Sequence, residues 1–570
     1  MKKLPLGDPP FRKIVSQDLL YADKTSYIHD MITNYICCFL SRPRRFGKTL
    51  LLDTIENLFL GHRGLFKGLW IDSGEANYEF KKYPVIRLSM AYSEMGSPNE
   101  LKKRIANNLL SIAGKEEVKI TEDSYGEILG QLIQGLSEKH GADVVVLVDE
   151  YDAPVTRHIE DLAVAKANSG VLHDFYTALK AKVGYIRFAL VTGITRFALT
   201  AMDSGPNNFY DLSLEPLYAG VCGFTISEFD RLFDDRMDVT LKELQKTGQM
   251  PPGSRASDLR DKILSWYDGY NWLGPEHVLN PYSILYFFTK KSFQPYWPLS
   301  GQPNHLSALV RQRPMDFIVP QLEDHESEQI RKASLGRLEP VPVLFHSGYL
   351  TIERAKTVPV DTFMGDVVEE IQYSFKPPNA EVQLCYNKYC FETVFGLNSK
   401  QLKQLGTNFL EYIEKRDSAK IGQLFSDLLS NVTYWQHPAN MDKNAGLDDG
   451  EGESFYHGLI QISMSAMGLK TLGETAGAMG RGDIGLLLPN DKALVIEIKY
   501  DRGSPGLTPK AVKGILGKAL RKALKAIAEK DYGGPHRISA SGIIGLGLAV
   551  HGRNEVLAGF LDDSSLRQPL

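Results

Sequence analysis

The stretch ICCFLSRPRRFGKTLLLDTIENLFL, residues 36–60, decides the fold of the N-terminal part of the chain. The apolar run ICCFL is typical of a buried strand, and LLLDTIENLFL has the apolar spacing of a helix. Between them lies a basic loop that ends in Gly47, Lys48 and Thr49. A strand, a loop with Gly-Lys-Thr and a helix, in this order, predict a phosphate-binding loop. Backbone amides at the helix N-terminus can face the phosphates, and the lysine can reach their β and γ oxygens.

We therefore predict a site for ATP, with the Thr49 hydroxyl on Mg²⁺. The predicted nucleotide-binding residues of the loop are Arg45, Phe46, Gly47, Lys48 and Thr49. The general motif has glycine five residues before the second glycine, a position that Arg42 occupies here. On the loop alone, a basic segment that contains Gly-Lys-Thr by chance remains an alternative.

A second motif lies further along the chain. The apolar run VVVLV at 144–148 ends in Asp149 and Glu150, as a buried strand does when it delivers two carboxylates at its C-terminal end. We expect Asp149 to support nucleotide-bound Mg²⁺ and Glu150 to polarise the attacking water. A strand end capped by acidic residues is the alternative. Both motifs in this order, within one α/β unit, favour the ATP site.

A third strand is predicted at 187–192, and Gly193, Ile194, Thr195 and Arg196 follow it. Thr192 at the strand end is a candidate for reading the γ-phosphate. Arg196 is a candidate for stabilising charge in the reaction. A purely structural role for each remains open.

These motifs resemble the AAA-ATPase-like proteins of the P-loop NTPase class, which are often fused to a nuclease-like domain. The resemblance rests on YADKT at 21–25, SRPRRFGKTLL at 41–51, LVDEYDAP at 147–154, TGITRFA at 192–198, CGFT at 222–225, WYDGYNW at 266–272, NPYSIL at 280–285 and SGYLTI at 347–352. In that family RPRRFGK is the usual loop, so Arg42 fits this narrower pattern. The resemblance also implies that FRK at 11–13 and Tyr21 to Lys24 lie near the nucleotide.

A constellation of charged residues stands near the C-terminus, in GRGDIGLLLPNDKALVIEIK at 480–499. Two strands around the PNDK turn predict a hairpin. Because side chains alternate along strands, Asp483, Glu497 and Lys499 are expected on the face opposite the apolar one. Two neighbouring carboxylates repel each other unless a cation lies between them, which predicts a Mg²⁺ site with Lys499 assisting catalysis. An ordinary strand face with salt bridges is the alternative.

This pattern resembles the PD-(D/E)XK nuclease superfamily, to which the fused domain of the ATPase family belongs. By that resemblance Glu453, at the start of a helix-like segment, joins Asp483 and Glu497 at the metal. The stretch at 510–530 predicts a basic amphipathic helix suited to phosphate contacts, with a solvated surface as the equal alternative. Ala526 stands where the superfamily commonly has glutamine, which leaves the efficiency of cleavage open.

Composition and charge limit the class of protein and its possible partners. The chain has 570 residues, 43% hydrophobic and 24% charged, which is typical of folded, multidomain proteins. A formal net charge of -4 means that any nucleic-acid surface is a local patch. Five cysteines, an odd number without zinc-ribbon spacing, argue against a disulfide framework and for a reducing compartment, the cytoplasm. No apolar run reaches membrane-spanning length, so no membrane partner is expected.

We predict an α/β protein: a P-loop NTPase parallel sheet with a helical lid and a winged-helix-like middle, followed by a C-terminal α/β restriction-endonuclease-like domain. The predicted divisions are 1–224 for the ATPase core, 225–390 for the lid and winged-helix-like region, 391–445 for a helical connector and 446–570 for the nuclease-like domain. The predicted function is an ATPase whose nucleotide state controls a Mg²⁺-dependent nuclease, with DNA favoured over RNA. An ATP-dependent switch or scaffold with a non-cleaving nuclease fold is the alternative, and a homo-oligomer stays open.

Overall fold

The computed structural model describes residues 1–91, 97–195, 209–297, 310, 317, 322–331, 339–361, 367–431, 449–467, 469–471, 483–488, 492–503, 506–529, 542–552 and 554–561. The chain divides into two compact units. The first comprises Met1–His305 and Leu322–Gln383, and the second comprises Leu306–Gln321 and Leu384–Leu570. The four-part division expected from the sequence is finer than this and stays a prediction.

A five-stranded parallel sheet forms the centre of the first unit, in the order β2-β3-β4-β1-β5. Its strands are β1 (Cys37–Ser41), β2 (Val85–Ser89), β3 (Val144–Asp149), β4 (Ile186–Gly193) and β5 (Tyr210–Asp211). Every residue of β1 and β3 is buried. Continuous apolar runs are expected when helices cover both faces of a parallel sheet. The three strands predicted at 36–40, 144–148 and 187–192 are confirmed as β1, β3 and β4.

Helices surround this sheet and continue beyond it. In chain order they are α1 (Phe11–Ser16), α2 (Thr25–Asn34), α3 (Lys48–Phe59), α4 (Pro98–Lys115), α5 (Tyr125–His140), α6 (Ala153–Thr156), α7 (Leu162–Ala181), α8 (Ile226–Lys246), α9 (Ala256–Tyr267) and α10 (Pro281–Lys290). The last three share an apolar cluster in which the rings of Phe233 and Phe288 stack at 4.8 Å. The predicted change to helical structure after residue 225 is confirmed. Short strands β6 (Phe224–Thr225) and β7 (Val278–Leu279) pair antiparallel beside these helices.

The remainder of the first unit has a second, antiparallel sheet in the order β8-β10-β9. Its elements are α11 (Ser327–Arg331), α12 (Pro340–Ser347), β8 (His325–Glu326), β9 (Thr351–Asp361) and β10 (Val367–Lys376). The alternation of two helices with a long hairpin is compatible with a winged-helix-like region, and that assignment stays a prediction.

The second unit contains a five-stranded mixed sheet in the order β11-β12-β13-β14-β15, parallel between β13 and β14. Its strands are β11 (Lys470–Thr471), β12 (Asp483–Leu487), β13 (Lys492–Asp501), β14 (Gly542–His551) and β15 (Glu555–Leu561). Its helices are α13 (Ala380–Phe395), which begins in the first unit, α14 (Ser399–Glu414), α15 (Ser418–Ser430), α16 (Asp449–Ala466) and α17 (Pro509–Glu529). The buried side chain of Ile527 on α17 packs against Val495 on β13. The hairpin, the basic helix and the strand after it occur in the predicted order.

One expectation requires correction. The acidic stretch at 445–453 is expected to be a linker, but α16 already begins at Asp449. Residues 445–448 lie outside the described part of the chain. Glycine and aspartate are compatible with the first turn of a helix, where negative charge interacts favourably with the helix dipole. The composition therefore indicated the beginning of a helix as much as a loop.

Gly193 at the end of β4 offers a test of this packing. A Cβ there would lie 2.4 Å from Cδ1 of the buried Tyr151 and 2.7 Å from Oδ1 of Asp152. We expect Gly193→Ala to lower the free energy of unfolding by about 1–3 kcal/mol, because the strand and this segment must move apart. Denaturant unfolding of the full chain, followed by fluorescence, measures this change.

The matched control is Gly170→Ala in α7, where a Cβ meets nothing within 4 Å. Alanine favours a helix interior over glycine by about 1 kcal/mol, so this variant should be neutral or more stable. Equal stability of both variants would contradict the close packing at Gly193.

Candidate functional site

The predicted phosphate-binding loop connects β1 to α3 at the C-terminal edge of the parallel sheet. Gly47 precedes α3 with a φ of 93°, and Arg45 has a φ of 69°. Both values lie in the left-handed region that favours glycine. A Cβ at Gly47 would meet nothing within 4 Å, so the backbone conformation and not space selects glycine there. The loop therefore turns sharply just before the helix N-terminus, as an anion-binding loop requires.

Lys48 is the first residue of α3, and its side chain is buried. Its Nζ donates to the backbone oxygens of Arg42, at 2.8 Å, and Pro43, at 3.0 Å. Burial lowers the pKa of Lys48, while the nearby Asp149 carboxylate opposes that shift. The ammonium group thus lies inside the loop, and the neighbouring Thr49 is exposed.

Arg42, the departure from the general motif, has a structural role. Its Nη1 donates to the backbone oxygens of Ser41 and Ser213, both at 2.8 Å, and its Nη2 donates to that of Tyr218 at 3.0 Å. The guanidinium lies 4.4 Å from the ring centre of Trp272. The side chain is 1% exposed, and burial lowers its pKa to about 10. Arg42 therefore attaches the loop to a distant segment of the chain.

The two predicted loop residues that precede Gly47 differ in position. Phe46 is buried, with its ring centre 4.8 Å from that of Tyr270 and 5.1 Å from that of Trp272. Its side chain packs into the interior, which leaves its backbone for any contact with a nucleotide. Arg45 forms an ion pair with Asp8 and lies over the ring of Tyr282.

Asp149 ends β3 and is 4% exposed. Its Oδ1 accepts a 2.8 Å hydrogen bond from Thr192 Oγ1 and a 3.0 Å bond from the backbone amide of Glu150. Its Oδ2 lies 3.6 Å from Nη2 of Arg87. These contacts orient one carboxylate at the strand end. Glu150 adopts a φ of 48° and is half-buried.

Thr192 is fully buried on β4. The structure places its hydroxyl against Asp149, so its observed contact positions the carboxylate. Its proposed contact with the γ-phosphate stays a prediction. Arg196 lies outside the described residues.

A group of buried hydrogen bonds connects the motifs LVDEYDAP and TGITRFA. Asp152 Oδ2 accepts 2.7 Å bonds from both the backbone amide and Oγ1 of Thr195, and the amide of Ile194 also donates to this carboxylate. The hydroxyl of Tyr151 donates to the backbone oxygen of Thr195 at 2.8 Å. These hydrogen bonds hold together the segments that follow β3 and β4.

The loop before α3, with Glu150 and Ile194 after the strand ends, borders a cleft of about 730 Å³, a volume within the range of small-molecule sites. One part of its lining is charged or polar and comprises the cations Lys24, Arg44, Arg45, Lys48, Arg87 and Arg157, the carboxylates Asp8, Asp53, Glu56 and Glu150, and the hydroxyl of Thr49. Another part is mostly apolar and comprises Pro5, Pro9, Pro10, Leu20, Val221, Phe224, Leu285 and Tyr286. The first can hold phosphates, and the second can hold an aromatic base.

The N-terminal motifs also reach this cleft. Tyr21, Ala22 and Lys24 line it, as expected, whereas Phe11 of the FRK motif is fully buried. Arg87 and Arg157 are cleft residues that the motif analysis did not identify. A signal for Arg87 was present, because it is the one charged residue within the apolar strand VIRLS.

The second unit brings part of the predicted carboxylate and lysine set together. Lys499 Nζ lies 2.7 Å from Glu453 Oε1 and 2.9 Å from Glu497 Oε1. Glu497 is 1% exposed. Asp483 stands directly opposite Glu497 in the register of β12 and β13, and the structure describes only its backbone. The alternation that predicted one shared face is confirmed for the backbone positions.

Metal binding by these carboxylates stays a prediction. Within the described part of the chain, no cluster of three or more histidine, cysteine, aspartate or glutamate residues is arranged to hold a metal ion. The basic helix α17 presents a row of exposed cations, namely Lys510, Lys513, Lys518, Arg521, Lys522 and Lys525. That surface is compatible with phosphate binding and with simple solvation.

Comparison with known proteins adds two findings. Residues 5–203 match the model of a family described as "Predicted AAA-ATPase", which supports an ATP-binding, AAA-ATPase-like N-terminal domain. The chain is also 28% identical over 567 residues to an uncharacterised protein encoded in the vnfD 5' region of Azotobacter chroococcum mcd 1, covering 99% of each chain. Among the described helices, none combines the length and apolar character needed to cross a membrane.

The role of Arg42 can be tested by Arg42→Met. This change leaves three backbone oxygens without their guanidinium donors in a buried region. We expect a loss of about 3 kcal/mol in the free energy of unfolding, since hydrogen bonds to charged groups contribute about 1.5–3 kcal/mol. Arg104→Met, on the exposed side of α4, is the control and should change stability by less than about 0.5 kcal/mol. Similar stabilities of the two variants in denaturant unfolding would show that Arg42 does not anchor the loop.

Proposed function

We propose that the chain is an ATPase whose nucleotide state controls a Mg²⁺-dependent nuclease domain that acts on nucleic acid, DNA in preference to RNA. One observation carries the ATPase part. The loop before α3 and Glu150, which follows β3, line one cleft that is large enough for a nucleotide, and Asp149 lies near Lys48 of that loop. The family match over residues 5–203 supports the same assignment.

The donor set of the cleft suits Mg²⁺ together with the phosphates of ATP. Thr49 offers an exposed hydroxyl, and Asp149 offers a carboxylate held by two hydrogen bonds. Oxygen donors of this kind are the preferred ligands of Mg²⁺. When bound, the ion neutralises phosphate charge and orients the γ-phosphate. Thr49 and Asp149 would hold it.

The remaining chemistry belongs to side chains at the same edge of the sheet. Lys48 would leave its two backbone acceptors for oxygens of the β and γ phosphates. Glu150 would accept the proton of a water molecule whose oxygen forms the new bond to the γ-phosphorus. The bond between that phosphorus and the bridging oxygen breaks, and ADP leaves with the oxygen. Arg196 is the candidate for stabilising the charge of this transition state.

For the nuclease, Asp483, Glu497 and Glu453 would hold the metal, and Lys499 would orient water or stabilise the developing charge. The closeness of Lys499 to both glutamates supports this arrangement. The exposed cations of α17 offer the contacts to the nucleic-acid backbone.

A second candidate function is an ATP-dependent switch or scaffold with a nuclease fold that does not cleave. The same contacts favour it in one respect. Lys499 is already neutralised by two carboxylates, as it would be in a structural ion-pair group. Ala526 at the expected glutamine position points in the same direction.

The ATPase assignment predicts different effects for two cleft residues. Lys48→Ala should raise the Kd of ATP by about 10–100-fold, because charge-assisted contacts to phosphate are lost. Glu150→Gln should leave the Kd of ATP within about threefold and lower kcat about 10²–10⁴-fold, because general base catalysis is lost. Calorimetric titration and a phosphate-release assay measure these values. The control is Lys103→Ala on an exposed side of α4. Unchanged ATP affinity in Lys48→Ala would refute the loop assignment.

The nuclease assignment predicts that Asp483→Ala abolishes Mg²⁺-dependent cleavage of DNA while ATP turnover persists. Parallel reactions on DNA and RNA, with and without ATP, measure this and test the preference for DNA. Asp427→Ala, an exposed aspartate on α15, is the matched control and should cleave normally. If the wild type cleaves neither polymer and still turns over ATP, the switch or scaffold becomes the better account.

A further inference from the structure

Arg87 is a charged residue in the interior of a strand that is otherwise apolar or neutral. It occupies the middle of β2, which pairs in parallel with β3, the strand that ends in Asp149. Its side chain is 22% exposed and lines the cleft. Burying a cation in this way costs free energy unless partners compensate. Burial indeed lowers the pKa of Arg87, with Asp149 and Glu56 opposing that shift.

The partners of Arg87 use only part of its hydrogen-bonding capacity. Nη2 lies 3.6 Å from Oδ2 of Asp149 and donates to the backbone oxygen of Thr49 at 3.5 Å. Nη1 is buried and has no hydrogen-bond partner among the described residues. A guanidinium has five N–H donors arranged as a fork that matches carboxylate and phosphate oxygens. Both contacts are long, so the fork is poorly satisfied.

The two residues that Arg87 contacts are the proposed Mg²⁺ ligands. The guanidinium therefore lies at the part of the cleft where Lys48 would bind the γ-phosphate in the proposed ATP site. We propose that Arg87 is a phosphate-binding residue that recognises the γ-phosphate and gives up Asp149 when Mg²⁺ and ATP bind. This inference rests on the proposed ATPase function.

The exchange follows from charge balance. In the structure described here, the Arg87 cation compensates the buried Asp149 carboxylate. Mg²⁺ replaces Arg87 as the partner of Asp149, and the γ-phosphate replaces Asp149 as the partner of Arg87. ADP with Mg²⁺ supplies the first replacement and lacks the second. Arg87 would thus distinguish ATP from ADP, which is the distinction that nucleotide-state control of a second domain requires.

A purely structural ion pair between β2 and β3 is the competing explanation. It predicts that loss of Arg87 lowers stability and changes the affinities for ATP and ADP equally. The two explanations therefore differ in a binding ratio that can be measured without catalysis.

The experiment compares the full chain with Arg87→Met and Arg87→Lys. Calorimetry gives the Kd of a non-hydrolysable ATP analogue and of ADP, each with Mg²⁺. For Arg87→Met we expect the Kd of the analogue to rise about 10–100-fold and that of ADP to change less than about threefold. Arg87→Lys keeps the charge but not the fork, so its effect on the analogue should be intermediate.

The matched control is Arg187→Met, on β4 of the same sheet. Arg187 is half-buried, donates to the backbone oxygen of Ile32 and does not line the cleft. This variant should keep the wild-type ratio of the two affinities, whatever its effect on stability. If Arg87→Met does not fold, Arg87→Lys alone decides by the same ratio.

Each outcome has a distinct meaning. Selective loss of the triphosphate analogue supports the inference. An equal change for both nucleotides, or none, overturns it and leaves the ATPase proposal intact. Failure of the wild type to bind either nucleotide refutes the proposed function itself.

Discussion

The buried hydrogen bond from Thr192 to Asp149 orients the strand-end carboxylate on which the candidate site depends. It joins the C-terminal ends of two central, parallel strands at 2.8 Å, in a place where Thr192 is fully buried and Asp149 is 4% exposed. An unpaired carboxylate there would carry a large desolvation cost. The bond therefore fixes both the register of the strand ends and the direction of the carboxylate. The phosphate-binding loop leaves the neighbouring strand β1 at the same edge, so one sheet edge carries all parts of the site.

A second set of contacts holds together the segments that follow the strand ends at this edge. Asp152 and Tyr151 bind the segment after β4, and Gly193 leaves room for them. Arg42 attaches the loop to the segment around Ser213. Loop, carboxylates and strand ends are thus positioned by buried polar contacts that are each costly to break. A site held in this way is suited to chemistry that depends on orientation and charge.

Much of this architecture could be predicted from the sequence. The apolar runs identified the parallel strands because a strand that is buried on both faces is apolar along its whole length. Strand parity predicted a shared face for Asp483 and Glu497 because side chains alternate along each strand, and the two residues are paired directly in the register of β12 and β13. The start of α16 was missed because glycine and acidic residues occur both in linkers and at helix N-termini.

The roles of individual side chains were less accessible. The sequence presents Arg42 as part of a basic phosphate loop, but two of its three hydrogen-bond partners, Ser213 and Tyr218, lie more than 170 residues away, beyond the reach of any local pattern. Phe46 is adjacent to Gly47 in sequence, yet its ring packs against Tyr270 and Trp272. The contacts of Thr192 and Arg87 with Asp149 depend on the strand order, which places β4 and β2 on either side of β3. Pairwise contacts of this kind arise from tertiary packing and leave no periodic signal.

The proposed ATP site lies in the first unit, and the charged triad of Glu453, Glu497 and Lys499 lies in the second. In the proposed function, the cleft binds Mg²⁺ and ATP through the loop and the strand-end carboxylate. A crystal structure of the full chain with Mg²⁺ and a non-hydrolysable ATP analogue tests this most directly. We expect phosphate oxygens on Lys48, Mg²⁺ on Thr49 and Asp149, and the base against the apolar lining of the cleft. An analogue bound elsewhere, or a cleft without nucleotide at saturating concentration, would contradict it.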